Sequence, residues 1–168
     1  MGYTTEFEGV FKLDKPLTLA HFKYLQAFAD TRRVERDSVR ANRLSDPVRE
    51  VTGLPVGVDG EYFVAGTGFK GQGRDDSVTD GNCPPRTQPG LWCQWVPTED
   101  GTGITWDGVE KFYEYVEWLQ YIIANFLVPW GYTLNGEVTW SGEERGDIGK
   151  IQVTDNKVKK LAGTVTYS

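Results

Sequence analysis

Histidine and cysteine are almost missing from this chain: one His and two Cys occur among 168 residues. A zinc site with four nitrogen or sulfur ligands would need carboxylates to complete it, so no metal centre and no cofactor is expected. Cys83 and Cys93 allow one bridge at most. A chain of this size does not need it, and both thiols are expected reduced, in the cytoplasm. A basic surplus is missing too. Lys and Arg number 18 against 24 Asp and Glu, a net charge of −6, which argues against general nucleic-acid binding, where cations must displace phosphate counterions. No apolar run is long enough to cross a bilayer: the longest, at 121–130, is interrupted by Asn125 and Pro129. The opening MGYTTEFEG has neither the basic start nor the apolar stretch of a signal peptide, and no membrane association is expected.

What is present is aromatic. Phe, Trp and Tyr make up 13% of the chain, with six Trp, so a ring-packed core is expected in a single domain spanning 1–168. Tyr3, Thr5, Phe7, Gly9, Phe11 and Leu13 alternate with polar residues, predicting a long half-buried strand. After Pro16, Thr18 reads as the N-cap of a helix bearing Leu19, Phe22, Leu25 and Ala29. Residues 31–50, TRRVERDSVRANRLSDPVRE, read as a solvated, helical or partly ordered connector. A long irregular segment rich in Gly and Pro follows at about 53–90, with only Tyr62-Phe63-Val64 resembling a strand; loops of such length tend to be functional or mobile.

Order returns with a predicted hairpin, 91–96 paired with 104–106. Asp107 and Glu110 then form a capping-box variant ahead of a second helix. Its apolar stripe is Phe112, Tyr115, Val116, Leu119, Ile122, Ile123 and Phe126, and Pro129 with Gly131 ends it. The remainder predicts a three-stranded meander. The expected fold class is α+β: an antiparallel sheet, made of the N-terminal strand, the central hairpin and the C-terminal meander, packed against two main helices.

Gly66-Thr67-Gly68-Phe69-Lys70-Gly71 matches G-x-G-x-x-G. A dinucleotide fingerprint works because its last glycine opens a helix whose amides hold pyrophosphate. Here Gly71 leads into Gln72-Gly73-Arg74-Asp75-Asp76, where no helix with an apolar face can start. The segment is then either a flexible surface loop or an anion site built from successive backbone amides with Lys70 and Arg74.

No catalytic constellation is legible. His21 has no identifiable partner, Cys93 lies mid-strand, and the pairs Glu99-Asp100 and Glu143-Glu144 sit in turns where acids are ordinary. Rings and guanidinium groups together suit a nucleotide site. Trp92 or Trp140 would stack a base, Gln94 would read its edge, and Arg32 and Arg33 would hold phosphate. The competing reading makes the tryptophans core residues and pairs the arginines with Asp30, Glu35 and Asp37. Adjacent arginines on a helix point about 100° apart, so unequal roles are expected for Arg32 and Arg33.

The strings YTTEFEGVFKLDKPL, DTRR, PGLWCQWVPTEDG, WDGVEKFYEYVEWL, PWGYTLNGEVTW and DNKV together resemble a family of short uncharacterised proteins of tailed phages and prophages. Relatives carry Met after the paired arginines, where this chain has Val34. The resemblance implies a phage setting, and hence the host cytoplasm, and it transfers no catalytic residue. By analogy with small accessory phage proteins, the expectation is a non-enzymatic counter-defence protein. It would sequester an anionic, nucleotide-derived signal of cyclic-nucleotide or ADP-ribose type. The alternative is a protein–protein inhibitor or acidic DNA mimic acting on a host enzyme; an enzyme ranks third. A homo-oligomer remains open.

Overall fold

The computed structural model describes residues 2–167. In chain order the strands are β1 (Thr5–Leu13), β2 (Glu35–Arg36), β3 (Val78–Asp80), β4 (Trp95–Pro97), β5 (Gly103–Trp106), β6 (Leu134–Gly142), β7 (Ile148–Thr154) and β8 (Lys157–Ala162). The helices are α1 (Leu19–Asp30), α2 (Ser38–Asn42), α3 (Pro47–Glu50) and α4 (Tyr115–Ile122). The protein is α+β, with an antiparallel six-stranded sheet ordered β4-β5-β1-β6-β7-β8 and a small sheet β2-β3. The chain divides into two compact units, residues 1–16 with 94–168 and residues 17–93. No helix among the described residues is long and apolar enough to cross a membrane.

The first unit holds the large sheet. β1 is buried at Thr5, Phe7 and Phe11, following the alternation of its sequence. It pairs along its whole length with β6, Phe7 opposite Trp140 and Phe11 opposite Gly136. The hairpin forms with Trp95 opposite Trp106, but its first strand begins only at Trp95. Asp100 closes the turn by accepting bonds from the Thr98 and Thr102 hydroxyls and the Thr102 amide. These bonds hold its carboxyl down at about 2. At the β7–β8 turn Asp155 and Asn156 both take positive φ, 48° and 70°, as a two-residue hairpin requires.

The second long helix starts later than its capping pattern predicts. Asp107 accepts the Val109 amide in a local turn, and Lys111 and Glu114 adopt left-handed φ of 62° and 56°. Helical geometry therefore begins at Tyr115. It continues as one wider π-type turn, Ile123–Leu127, and ends at Pro129 and Gly131, whose φ is 84°. Ring packing fills this core: Phe7 meets Trp95, Phe112 and Tyr115 edge-on at centroid distances of 5.5, 5.8 and 4.9 Å. Trp95 Nε1 donates to the Tyr115 carbonyl at 2.8 Å.

The second unit is built differently. Thr18 caps α1 by accepting the His21 amide, and the helix buries Tyr24, Leu25, Phe28 and Ala29. His21 is half-buried, and loss of solvent pushes its pKa down. The segment read as a solvated connector is not one. Arg33, Arg36 and Arg49 are buried, and Glu35–Arg36 pairs with Val78–Asp80. Tyr62-Phe63-Val64 is not a strand. Its chain is held by side chains instead: Arg33 Nη2 donates to the Glu61 and Phe63 carbonyls at 2.8 and 2.7 Å. Gln88 Nε2 donates to the Glu61 carbonyl, Tyr24 Oη to the Tyr62 carbonyl, and the Val64 amide to Asp46. The Arg33 and Arg36 guanidinium groups lie 4.3 and 4.4 Å from the Phe28 and Phe63 ring centroids, which shields charge with ring faces.

Removing the Arg33 guanidinium strands the buried Phe63 carbonyl and leaves that of Glu61 to Gln88 alone, and charge-assisted bonds contribute about 1.5–3 kcal/mol each. Arg33→Ala should therefore lower the stability of this unit by about 3 kcal/mol or more, measured by urea unfolding. Asp75 pairs with buried Arg36 at 2.9 Å. Burial alone would raise its carboxyl, but hydrogen bonds from Ser77 and Arg36 outweigh it and hold the group below the ordinary carboxylate range. Its contribution is thus complete above the unfolded value, about 3.9, and disappears as pH falls through the depressed folded value. Asp75→Asn should flatten that acid limb of the stability profile; an unchanged limb would show that the pair does not govern it.

Candidate functional site

The sequence-predicted site residues are divided between the two units. Trp140 and Gln94 belong to the sheet unit, while Arg32, Arg33 and Trp92 belong to residues 17–93. Trp140 is 4% exposed, donates its Nε1 to Asp147 at 3.0 Å, and has the Lys160 ammonium 5.0 Å from its ring centroid. Tyr3 Oη also donates to Asp147, and these bonds hold the Asp147 carboxyl low. Trp140 is a core residue tying the 143–147 turn to the sheet. Gln94 is buried and donates to the Glu110 and Lys111 carbonyls at 3.3 and 3.5 Å, bracing the loop before α4.

Arg33 is 2% exposed and bound to carbonyls. Arg32, one residue earlier, does the opposite. The chain leaves α1 at Thr31 in extended geometry, φ −112° and ψ 125°, so consecutive side chains diverge. Arg32 reaches a cleft of about 310 Å³ lined by Val34, Gly71, Gln72, Gly73, Arg74, Val78, Gly81 and Asn82. Its Nε is buried and has no hydrogen-bond partner. Arg74 brings a second guanidinium, close to Gly81 and to the Asp80 carboxylate, whose pKa is depressed first by the Asn82 amide and in part by Arg74.

The glycine motif lies on this cleft, for a reason unrelated to a nucleotide fingerprint. Residues 66–73 fold back on themselves. A Cβ at Gly66 would meet the Gly71 Cα at 3.0 Å, one at Gly68 the Gly73 amide nitrogen at 3.0 Å, and one at Gly73 the Thr67 carbonyl oxygen at 2.8 Å. Gly68 and Gly71 also take φ of 76° and 67°, which favours residues without a Cβ. The fold-back engages the amides: Gly71, Gln72 and Gly73 donate to the carbonyls of Gly68, Phe69 and Thr67. A cradle of successive backbone amides is therefore not available here, and the positive field of the cleft comes from side chains. The loop is anchored to α1 by the Arg32 amide, which donates to the Lys70 carbonyl at 3.0 Å. Trp92 joins it through Lys70, whose ammonium lies 5.9 Å from the Trp92 ring centroid.

A second depression, about 420 Å³, is lined by Arg40, Arg43, Leu44, Asp76 and Ser77. There Asp76 offsets the cations, and Arg40 already donates to the Asp76 carbonyl. Cys83 is exposed, and the neighbouring Asp80 carboxylate raises its thiol pKa, which disfavours a nucleophilic thiolate. Among the described residues no group of three or more His, Cys, Asp or Glu side chains is arranged to hold a metal ion.

Arg32 and Arg74 offer guanidinium donors of the kind that bind oxyanions, and Gln72 and Asn82 add amide groups that can donate or accept, beside the apolar walls of Val34 and Val78. The class this defines is an α+β protein with an arginine-lined cleft on a glycine loop. No family model, curated protein or solved structure matches the chain. Because Arg32 makes no side-chain contact of the Arg33 kind, Arg32→Ala should leave the melting temperature within about 2 °C of the parent, roughly the effect of a surface substitution. A loss as large as that of Arg33→Ala would assign Arg32 to the scaffold.

Proposed function

We propose that this is a non-enzymatic binding protein that captures an anionic, nucleotide-derived small molecule in the cleft between Arg32 and Arg74. The observation that carries the reading is the pairing of two guanidinium groups, one with a buried unpartnered nitrogen, at one cleft. Buried polar atoms ordinarily have partners, and an unmet one marks a place where a ligand group gains more than it loses. A phosphate oxygen meets that need, since arginine binds phosphate in a fork with charge-assisted bonds. The cleft volume, about 310 Å³, falls at the small end of ligand pockets, which run about 300–1,000 Å³. That size suits one phosphate-bearing sugar or a single nucleotide unit of a larger signal.

The phage resemblance supplies the biological frame, a counter-defence protein that withholds a host signal by mass action and leaves it chemically intact. A thermal-shift panel of mononucleotides, ADP-ribose and cyclic dinucleotides tests it. A ligand present at 100 times its Kd should stabilise the protein by about 2.7 kcal/mol, and it should be recovered unaltered after denaturation. Arg32→Ala and Arg74→Ala should each weaken binding by about tenfold or more, equivalent to about 1.4 kcal/mol, with Arg33→Ala changing stability instead. No shift with any member removes the proposal, and recovery of a cleaved ligand would make the protein an enzyme.

A further inference from the structure

Phe69 stands at the tip of the folded-back loop with 80% of its surface exposed. An exposed ring is unfavourable in water. The display is nonetheless built: Gly68 and Gly71 in left-handed geometry, Lys70 between them at φ 52°, and tight backbone approaches at Gly66 and Gly73 hold the tip in one shape. The Lys70 ammonium lies 5.8 Å from the Phe69 ring centroid and 5.9 Å from that of Trp92. One cation thus bridges two rings, both with solvent-accessible surface. The three residues that follow the tip, Gln72, Gly73 and Arg74, line the anion cleft.

We infer that Phe69, with Trp92 alongside, is the stacking platform of this site, and that the ligand is therefore an anion bearing an aromatic base. This rests on the anion cleft proposed above and assigns the base-recognition role to Phe69 in place of Trp140 and Gln94, which are held in the other unit's core. The division of labour follows from chemistry. Guanidinium groups and side-chain amides at the cleft answer phosphate oxygens, while a π face answers any base without reading its edge. Lys70 leaves the rings when a base arrives and remains close enough to contribute a third positive charge. A loop folded back on its own hydrogen bonds has less ordering cost to carry into a complex than an open one.

Titration calorimetry of the full chain with ADP-ribose, cyclic di-AMP and inorganic diphosphate separates the two ideas. Phe69 is exposed, so Phe69→Ala should fold with a nearly unchanged melting temperature. It should weaken binding of an adenine-bearing probe by about tenfold, the usual scale of one stacked base. Diphosphate affinity should stay within about twofold, and Phe69→Trp should restore the adenine probe. Equal affinity of Phe69→Ala and the parent for the adenine probes overturns the platform while leaving the cleft standing. The same holds if the parent binds diphosphate and neither adenine probe. Failure of the parent to bind any of the three removes cleft and platform together.

Discussion

Residues 54–93 form almost no regular secondary structure, yet much of this stretch is buried, and each buried peptide group needs a hydrogen-bond partner. Buried side chains answer that constraint. Arg33 takes two carbonyls, Gln88 shares one of them, Tyr24 takes a third, and Asp46 accepts the Val64 amide. Fixing irregular chain costs about 1–2 kcal/mol per residue in backbone entropy, so these bonds have to be cooperative with apolar packing. They are: the guanidinium groups of Arg33 and Arg36 lie on the rings of Phe28 and Phe63, and Phe63 packs with Ala41 and Val56. The Arg33 side chain thus serves ring and backbone together.

The cleft inherits its geometry from that arrangement. Because Arg33 points into the unit, the extended chain after α1 turns Arg32 away from it, towards the glycine loop. The loop closes on α1 where its Gly71 leaves room for the Thr31 methyl, which a Cβ there would meet at 2.6 Å. Thr31 is itself tied to the Ala27 carbonyl. Helix end, paired arginines and glycine loop are in direct contact, and the two arginines differ in surroundings because they differ in direction.

The sheet unit is governed by ring area instead of polar bonding. Phe7, Trp95, Phe112 and Tyr115 interlock edge-on, and Trp140 extends the cluster towards β8. Desolvation among these rings pushes the Tyr115 hydroxyl up to about 12. This explains why Trp140 is a poor stacking candidate despite its residue type: a ring that closes a core has no face left for a base.

How much was legible depends on whether a signal was periodic. The alternation of 3–13, the stripe of 115–126, the Pro129 and Gly131 stop, and the Asp155-Asn156 turn were all readable, because local sterics and burial on one face dictate them. The start of α4 was misread, since the Asp107 side chain closed a local turn in place of a cap. The charged run 31–50 was misread as solvated, because composition cannot distinguish an arginine facing water from one whose partners are carbonyls about 30 residues away. The unequal roles expected of Arg32 and Arg33 followed from adjacency alone; which was which did not. Thus the sequence by itself determined most strands of the large sheet, the two long helices and the tight turns, where neighbours in the chain decide the outcome. Only the tertiary structure decided which arginine is scaffold, which faces the cleft, and that four glycines serve a fold-back displaying Phe69, because those outcomes depend on groups brought together from distant positions.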